Sequence, residues 1–403
     1  MTETSKLLKK GFKFPIYPTA EQQELIERTF GCCRYVYNRA LAESKEDYKT
    51  YAELLEKRLM DKQARPDVSS YGLVNKLPRF KRDPDSTWLS DVSAVALQQS
   101  LLHLGAAYAR FFRTKQGFPR FKCKQGRQSF SLTKAAFNLQ ESGLCIAKCI
   151  TPIKVVYSRP LPSTPSSLTI SRTPSGKYYV SFICEYQPTP TSGTQVTGID
   201  VGLSHLLVLS NGIKVDNPRH YVKAQQRLKR AQQALSRKQK GSRNRHKQRH
   251  KVAKLHEHVA NCRRDHHHQL SRKLVNENQV IGIEGLQVKN MIKNRRLSKH
   301  ITDAGWRSFR SMLEYKTVES QHTTLVVMDT FFPSSHLCAA TGQKLDRKLL
   351  LSERSWDCPH CGQLHDRDVN AAQVIATEAL FAVSQYPIDV VRGKILLANA
   401  RSA

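Results

Sequence analysis

Gly198-Ile199-Asp200-Val201-Gly202 opens a new pattern after the Pro-, Thr-, Ser- and Gly-rich stretch 187–195. The pentapeptide is an apolar strand carrying one acid between two glycines. Leu206 to Leu209 follows as a second strand. Asn211-Gly212 is a strong hairpin signal, and Ile213 to Val215 makes the third strand. After a long, basic, helical region, Gln279-Val280-Ile281-Gly282-Ile283-Glu284 is a buried strand ending on a carboxylate. A helix around Trp306 to Tyr315 leads to another buried strand, Thr324 to Met328, and a last helix begins near Val369. The order three strands, helix, strand, helix, strand, helix predicts an α/β layer. Its first three strands are antiparallel, and the later ones are added through crossovers.

Asp200 by itself fits a strand-end turn, and Glu284 is poorly suited to a core without a partner. Asp366 and Asp368 both stand near the start of the last helix, where one of them fits an N-cap. Jointly the carboxylates point to a metal. Two divalent cations clamping a scissile phosphate sit about 3.5–4 Å apart, and hard cations need several anionic oxygens to hold them.

Working outward to the N-terminus, Lys10 to Tyr17 alternates as a strand, and Thr19 with Gln22 forms a capping-box pattern before a helical region that reaches about Phe112. A basic-aromatic stretch, Gly117 to Lys124, precedes short strands between Ser129 and Tyr186. The boundary between the two halves is expected at 187–195.

The 403 residues carry 65 Lys plus Arg against 33 Asp plus Glu, a formal net charge of +32. So large an excess calls for a polyanionic partner, nucleic acid first. No run approaches the roughly 20 apolar residues of a spanning helix. Met1 to Lys10 lacks the apolar core of a signal peptide. A cytoplasmic protein with no membrane partner is expected, working in prokaryotic cytosol or nucleoid. Between Asp216 and Glu257 there is no acid, while fourteen Lys or Arg fall between Arg219 and Lys254. Apolar residues at helical spacing on both sides of Gly241 predict a helical hairpin, 219–260, with a basic face. Arg237, Lys238, Lys240, Arg243, Arg245, Lys247 and Arg249 are its candidate phosphate contacts, joined by Arg120 and Lys122. Of ten cysteines, seven are scattered. Only Cys338, Cys358 and Cys361 cluster as metal ligands do.

The segments Gly198 to Leu203, Ile283-Glu284-Gly285-Leu286 and His365-Asp366-Arg367-Asp368-Val369-Asn370-Ala371-Ala372 resemble the split RuvC motifs of TnpB proteins, transposon-encoded RNA-guided DNA endonucleases related to type V CRISPR effectors. Phe12 to Thr19, Phe30 to Asn38, Ala96 to Gln99, Gly117 to Lys122 and Pro333-Ser334-Ser335 resemble other parts of that family, so the likeness covers nearly the whole chain. It implies an RNase H-like (RuvC) nuclease domain with a zinc-ribbon-like insertion, preceded by a small β-barrel (wedge) domain and a helical recognition lobe. The implied layout is 1–18 and 117–190 for the wedge domain, 19–116 for the lobe, 191–331 and 366–403 for the nuclease domain, and 332–365 for the ribbon. The implied catalytic triad is Asp200, Glu284 and Asp368 with Mg2+ or Mn2+, and Asp366 is left to a supporting role. The implied partners are a guide RNA from the transposon end and a target DNA.

The chain departs from the family at the ribbon. The family has two Cys-x-x-Cys pairs, whereas here Thr341 stands where the fourth cysteine belongs. A hydroxyl is a poor substitute for thiolate or imidazole. Zn2+ on Cys338, Cys358 and Cys361 therefore needs another donor, and His336, His360 and His365 are the candidates. A nuclease-silent RNA-guided regulator and a transposase are the alternative functions; the three intact carboxylates argue against the first.

Overall fold

The computed structural model describes residues 7–56, 65–188, 190–347, 349–350, 352–385 and 394–396, which form two compact units, 1–187 and 188–403. No helix among the described residues is long and apolar enough to cross a membrane.

In the first unit, β1 (Leu8–Tyr17) buries alternate residues, Phe12, Phe14 and Ile16, as period-two geometry requires. The capping box then starts α1 (Ala20–Glu56): the Thr19 amide donates to Gln22 Oε1 at 3.0 Å, and the Gln22 amide donates to Thr19 Oγ1 at 3.4 Å. Short helices α2 (Ser70–Asn75) and α3 (Leu77–Arg82) lead to α4 (Ala94–Thr114). α4 crosses α1, with Ser100 Oγ donating to the Cys33 carbonyl at 2.7 Å. The strands β2 (Gln128–Thr133), β3 (Phe137–Gln140), β4 (Gly143–Ile146), β5 (Lys154–Val155), β6 (Ser167–Arg172) and β7 (Tyr178–Tyr186) complete the unit. The main sheet runs β2-β6-β7-β1-β5, antiparallel throughout. Among the described residues no ladder joins β5 to β2. Beyond β5 the Leu144–Ile153 bridge leads on to β4, which pairs antiparallel with β3.

The second unit holds a six-stranded sheet. β8 (Gln195–Val201), β9 (His205–Leu209) and β10 (Lys214–Asp216) form the antiparallel part. The hairpin helices α5 (His220–Ser236) and α6 (Arg243–Glu277) cross over to β11 (Asn278–Ile283), which lies parallel to β8. After α7 (Val288–Met291), α8 (Ser298–Ala304) and α9 (Trp306–Ser320), β12 (Thr324–Val327) adds parallel to β11. The small hairpin of β13 (Ser355–Asp357) and β14 (Leu364–Asp366) runs directly into α10 (Arg367–Gln385), and β15 (Lys394–Leu396) pairs parallel to β12. The order β10-β9-β8-β11-β12-β15 matches the alternation expected, with one further edge strand.

Gly198 and Gly282 are register partners on β8 and β11. A Cβ on Gly198 would fall on the Ala372 carbonyl and the Ala376 amide of α10; one on Gly282 would fall on Ile375 and Ala379. The two glycines make a flat seat that draws α10 down by its alanine face. Gly198→Ala should lift that helix and lower stability by about 1–3 kcal/mol, the usual cost of overpacking. Thermal denaturation measures it; an unchanged melting temperature refutes the seat.

Candidate active site and metal centre

Asp200 is the sixth residue of β8, and Glu284 directly follows β11. Ile283 pairs with Ile199, so continuing the parallel ladder by one residue sets the two carboxylates side by side. Burial pushes the Asp200 carboxyl well above the ordinary value, and the Glu284 charge beside it and that of Asp368 push it further. Burial also raises Glu284, although the hydrogen bonds from Asp200 and Ser334 oppose the shift. Asp368 lies in the first turn of α10, delivered to the pair by the glycine seat. Its Oδ2 is 3.6 Å from Arg354 Nη1. Three carboxylates in one half-buried site repel one another unless protons or cations neutralise them. Such a donor set suits hard divalent cations.

Asp366 has a different position. Its Oδ1 accepts from the amides of Asp368 and Val369 at 3.1 and 3.0 Å, which makes it the N-cap of α10. Its Oδ2 pairs with Lys214 Nζ at 2.6 Å. Burial opposes ionisation of Asp366, but Lys214 and the two amides outweigh it and hold the carboxyl below its ordinary value. The fold thus separates two acids that stand two residues apart. Ser334, whose Oγ donates to Glu284 Oε1 at 3.4 Å, was not among the candidates. Its contact spans fifty residues and leaves no local spacing to read.

The ligand atoms of Cys338, Cys358, Cys361 and His365 all lie within 4.8 Å of one another. Cys338 Sγ is 3.7 Å from Cys361 Sγ and 3.7 Å from His365 Nε2, and Cys361 Sγ is 3.2 Å from the same nitrogen. Tetrahedral zinc with bonds of about 2.3 Å to sulfur and 2.0–2.1 Å to nitrogen requires edges of roughly 3.5–3.8 Å. The donor set fits such an ion; the two Cys338 distances fall on those edges, and the Cys361–His365 distance is shorter. Of the other candidate nitrogens, His360 Nε2 lies 3.2 Å from the Lys344 carbonyl, and His336 is outside the cluster. Thr341 serves Cys338 instead. Burial alone would raise that thiol, but the hydroxyl and amide of Thr341, with Cys358 and the Ala340 amide, bring it down to about 6. Stacking on Trp356, with ring centroids 5.0 Å apart, steadies His365. Buried Asn370 ties the cluster to α10. Its Nδ2 donates to the Leu337 carbonyl at 2.7 Å, and its Oδ1 accepts from the Ala339 amide at 2.9 Å.

The basic hairpin turns at Gly241, where φ is +85°, and Leu228, Val252 and Val259 are buried along it. Arg237, Lys238, Lys240, Arg243, Lys247 and Arg249 are exposed. Arg245 is the exception: its Nη1 donates to the carbonyls of Leu235 and Lys238 at 2.9 and 3.0 Å and so caps the end of α5. In the first unit Arg120 is exposed, and Lys122 places its Nζ 4.0 Å from the centroid of the Tyr37 ring. Phe118 and Phe121 are exposed rather than core, 43% and 52%.

Comparison with known proteins places this arrangement. The fold is similar to that of Cas12f1, whose structure, solved as a complex with sgRNA and target DNA, matches with a TM-score of 0.53. It covers 92% of this chain and 99% of that one at 11% identity. Residues 179–295 match the OrfB_IS605 family model, described as "Probable transposase", and residues 306–375 match the Cas12f1-like TNB domain. A third model, described as a helix-turn-helix domain, matches residues 6–53. That stretch here is β1 and the single long helix α1. A Streptomyces pristinaespiralis protein named "Putative RNA-guided DNA endonuclease" is 42% identical over 93% of this chain and 90% of its own. Escherichia coli K12 "Putative RNA-guided DNA endonuclease InsQ" is 30% identical over 91% of each. The chain belongs to this family, the OrfB_IS605 or TnpB proteins.

Proposed function

We propose that the chain is a transposon-encoded RNA-guided DNA endonuclease, acting in prokaryotic cytosol or nucleoid, that cleaves phosphodiester bonds at Asp200, Glu284 and Asp368. The observation that carries the reading is the meeting of three acids at one end of the parallel strands, in a chain whose relatives are named for that activity. The order β10-β9-β8-β11-β12, three antiparallel strands and then two parallel, supports an RNase H-like nuclease module. Residues 191–331 and 366–403 would form it, interrupted by a ribbon at 332–365. Residues 1–18 and 117–190 would serve as the wedge domain and 19–116 as the recognition lobe.

Asp200, Glu284 and Asp368 would hold Mg2+ or Mn2+. Such cations lower the pKa of an attacking water and stabilise the leaving oxygen. The protein's own work is placement. β8 and β11 hold two carboxylates in register, α10 brings the third, and Ser334 restrains Glu284. Cys338, Cys358, Cys361 and His365 would hold structural Zn2+.

The test is to purify the protein with its RNA, sequence that RNA, and supply matching DNA with Mg2+. A discrete transposon-end RNA and cleavage of the matched DNA are expected. Random cellular RNA, or matched DNA left intact, overturns the reading. Strand transfer of transposon ends in the same mixture would instead make it a transposase.

The hairpin's exposed cations would grip RNA backbone. Replacing Arg237, Lys238 and Lys240 with alanine should weaken RNA binding. It should also flatten the plot of log affinity against log salt by about 2, at roughly 0.7 per lost single-strand phosphate contact. An unchanged slope in a filter-binding titration refutes the assignment.

A further inference from the structure

A cavity of about 440 Å3 opens beside the carboxylates, and Glu284 forms part of its wall. Whatever fills it therefore adjoins the reacting phosphate. Its lining joins apolar groups, among them Val201, Ile283 and buried Trp306, to the guanidinium groups of Arg307 and Arg310. Arg310 is steadied by Glu314, which accepts from its Nε at 3.1 Å. A metal or a lone anion needs no apolar wall, and an apolar ligand needs no guanidinium. A nucleotide needs both, a flat surface for the base and cations for its phosphate and polar edge. The volume is within the range of small-ligand pockets and is large enough for one nucleotide.

We propose that this cavity receives the base of the nucleotide adjoining the scissile phosphate in single-stranded DNA, and that it sets where the cut falls. The inference rests on the nuclease reading above. Seating the base against the Val201–Ile283 wall while Arg307 and Arg310 hold the backbone fixes the neighbouring phosphate over Glu284. Arg307 and Arg310 are positioning residues in this scheme. They do not touch the reacting atoms.

The test uses the protein with its copurified RNA, Mg2+, and single-stranded DNA complementary to that RNA. An abasic nucleotide is moved one position at a time through the cut region. With the unaltered protein, cleavage should fall about tenfold when the abasic site reaches the seated position, the scale of losing one base contact. Ser311 lines the cavity from an exposed position, so Ser311→Trp fills it without entering the core. That variant should cut more slowly and lose the dip. Arg307→Ala, also exposed, should spread the cut over neighbouring phosphates. A flat abasic profile in the unaltered protein overturns the pocket and leaves the nuclease reading standing. So do Ser311→Trp and Arg307→Ala proteins that keep both the rate and the cut position. An unaltered protein that cuts nothing overturns both.

Discussion

Asp200→Asn should abolish matched-DNA cleavage, by about a thousandfold or more, since losing even one preorganised stabilising group costs 10²–10³. The same substitution should make the protein more stable when no divalent cation is added. Asp200 carries an ordinary value of 3.8 and is raised well above it by burial, Glu284 and Asp368. Its native form therefore binds protons that the unfolded chain has already lost. Stability falls as pH climbs from about 4 through the native pKa, then stays at the lower level. Above about pH 4 the unaltered protein bears a cost for this carboxyl that grows until its native pKa is passed, and the asparagine variant bears none. In Mg2+-free buffer at pH 7 the variant should melt higher, and added Mg2+ should narrow the gap by binding the unaltered site. A variant that melts lower while keeping its cleavage would sink the assignment of Asp200.

The second large effect concerns His365. Structural zinc contributes about 10–16 kcal/mol of apparent binding free energy at pH 7, so a lost ligand costs both the ion and the local fold. One zinc per chain is expected by elemental analysis. His365→Ala should lose it, expose the segment around Trp356 to protease, and reduce cleavage by at least the 10–100-fold typical of disturbed metal sites. Thr341 approaches Cys338 closely enough to hydrogen-bond its sulfur. Thr341→Cys in the His365→Ala background should therefore restore zinc, protease resistance and cleavage together. Full zinc content and full cleavage in His365→Ala alone would exclude the histidine as the fourth ligand.

The strands of the second unit were legible because each is a short apolar run between turn signals. Leu206 to Leu209 and Thr324 to Met328 lie on or within a residue of β9 and β12. The capping box at Thr19 was equally local. Asp366 and Asp368 could not be told apart by spacing, since both stand at a helix start. Lys214, on a strand distant in sequence, separates them. His365 was one of three candidates until the β13–β14 hairpin folded it against Cys361. Arg245 looked like any other cation in a basic run; its inward turn depends on where α5 ends. Phe118 and Phe121 show the limit of hydrophobicity as a guide, being apolar and exposed.

Within six residues, His365 to Asn370, one short stretch of chain supplies a proposed cluster ligand, a helix cap, a carboxylate of the candidate site and the clamp onto Leu337 and Ala339. Three steps along the backbone separate the ligand from the carboxylate, less than one helical turn. Over so short a run an error at one end passes almost undiminished to the other. On the proposed reading, closing the cluster and placing the third acid would be one event: a chain that leaves the cluster open would hold only Asp200 and Glu284 in place.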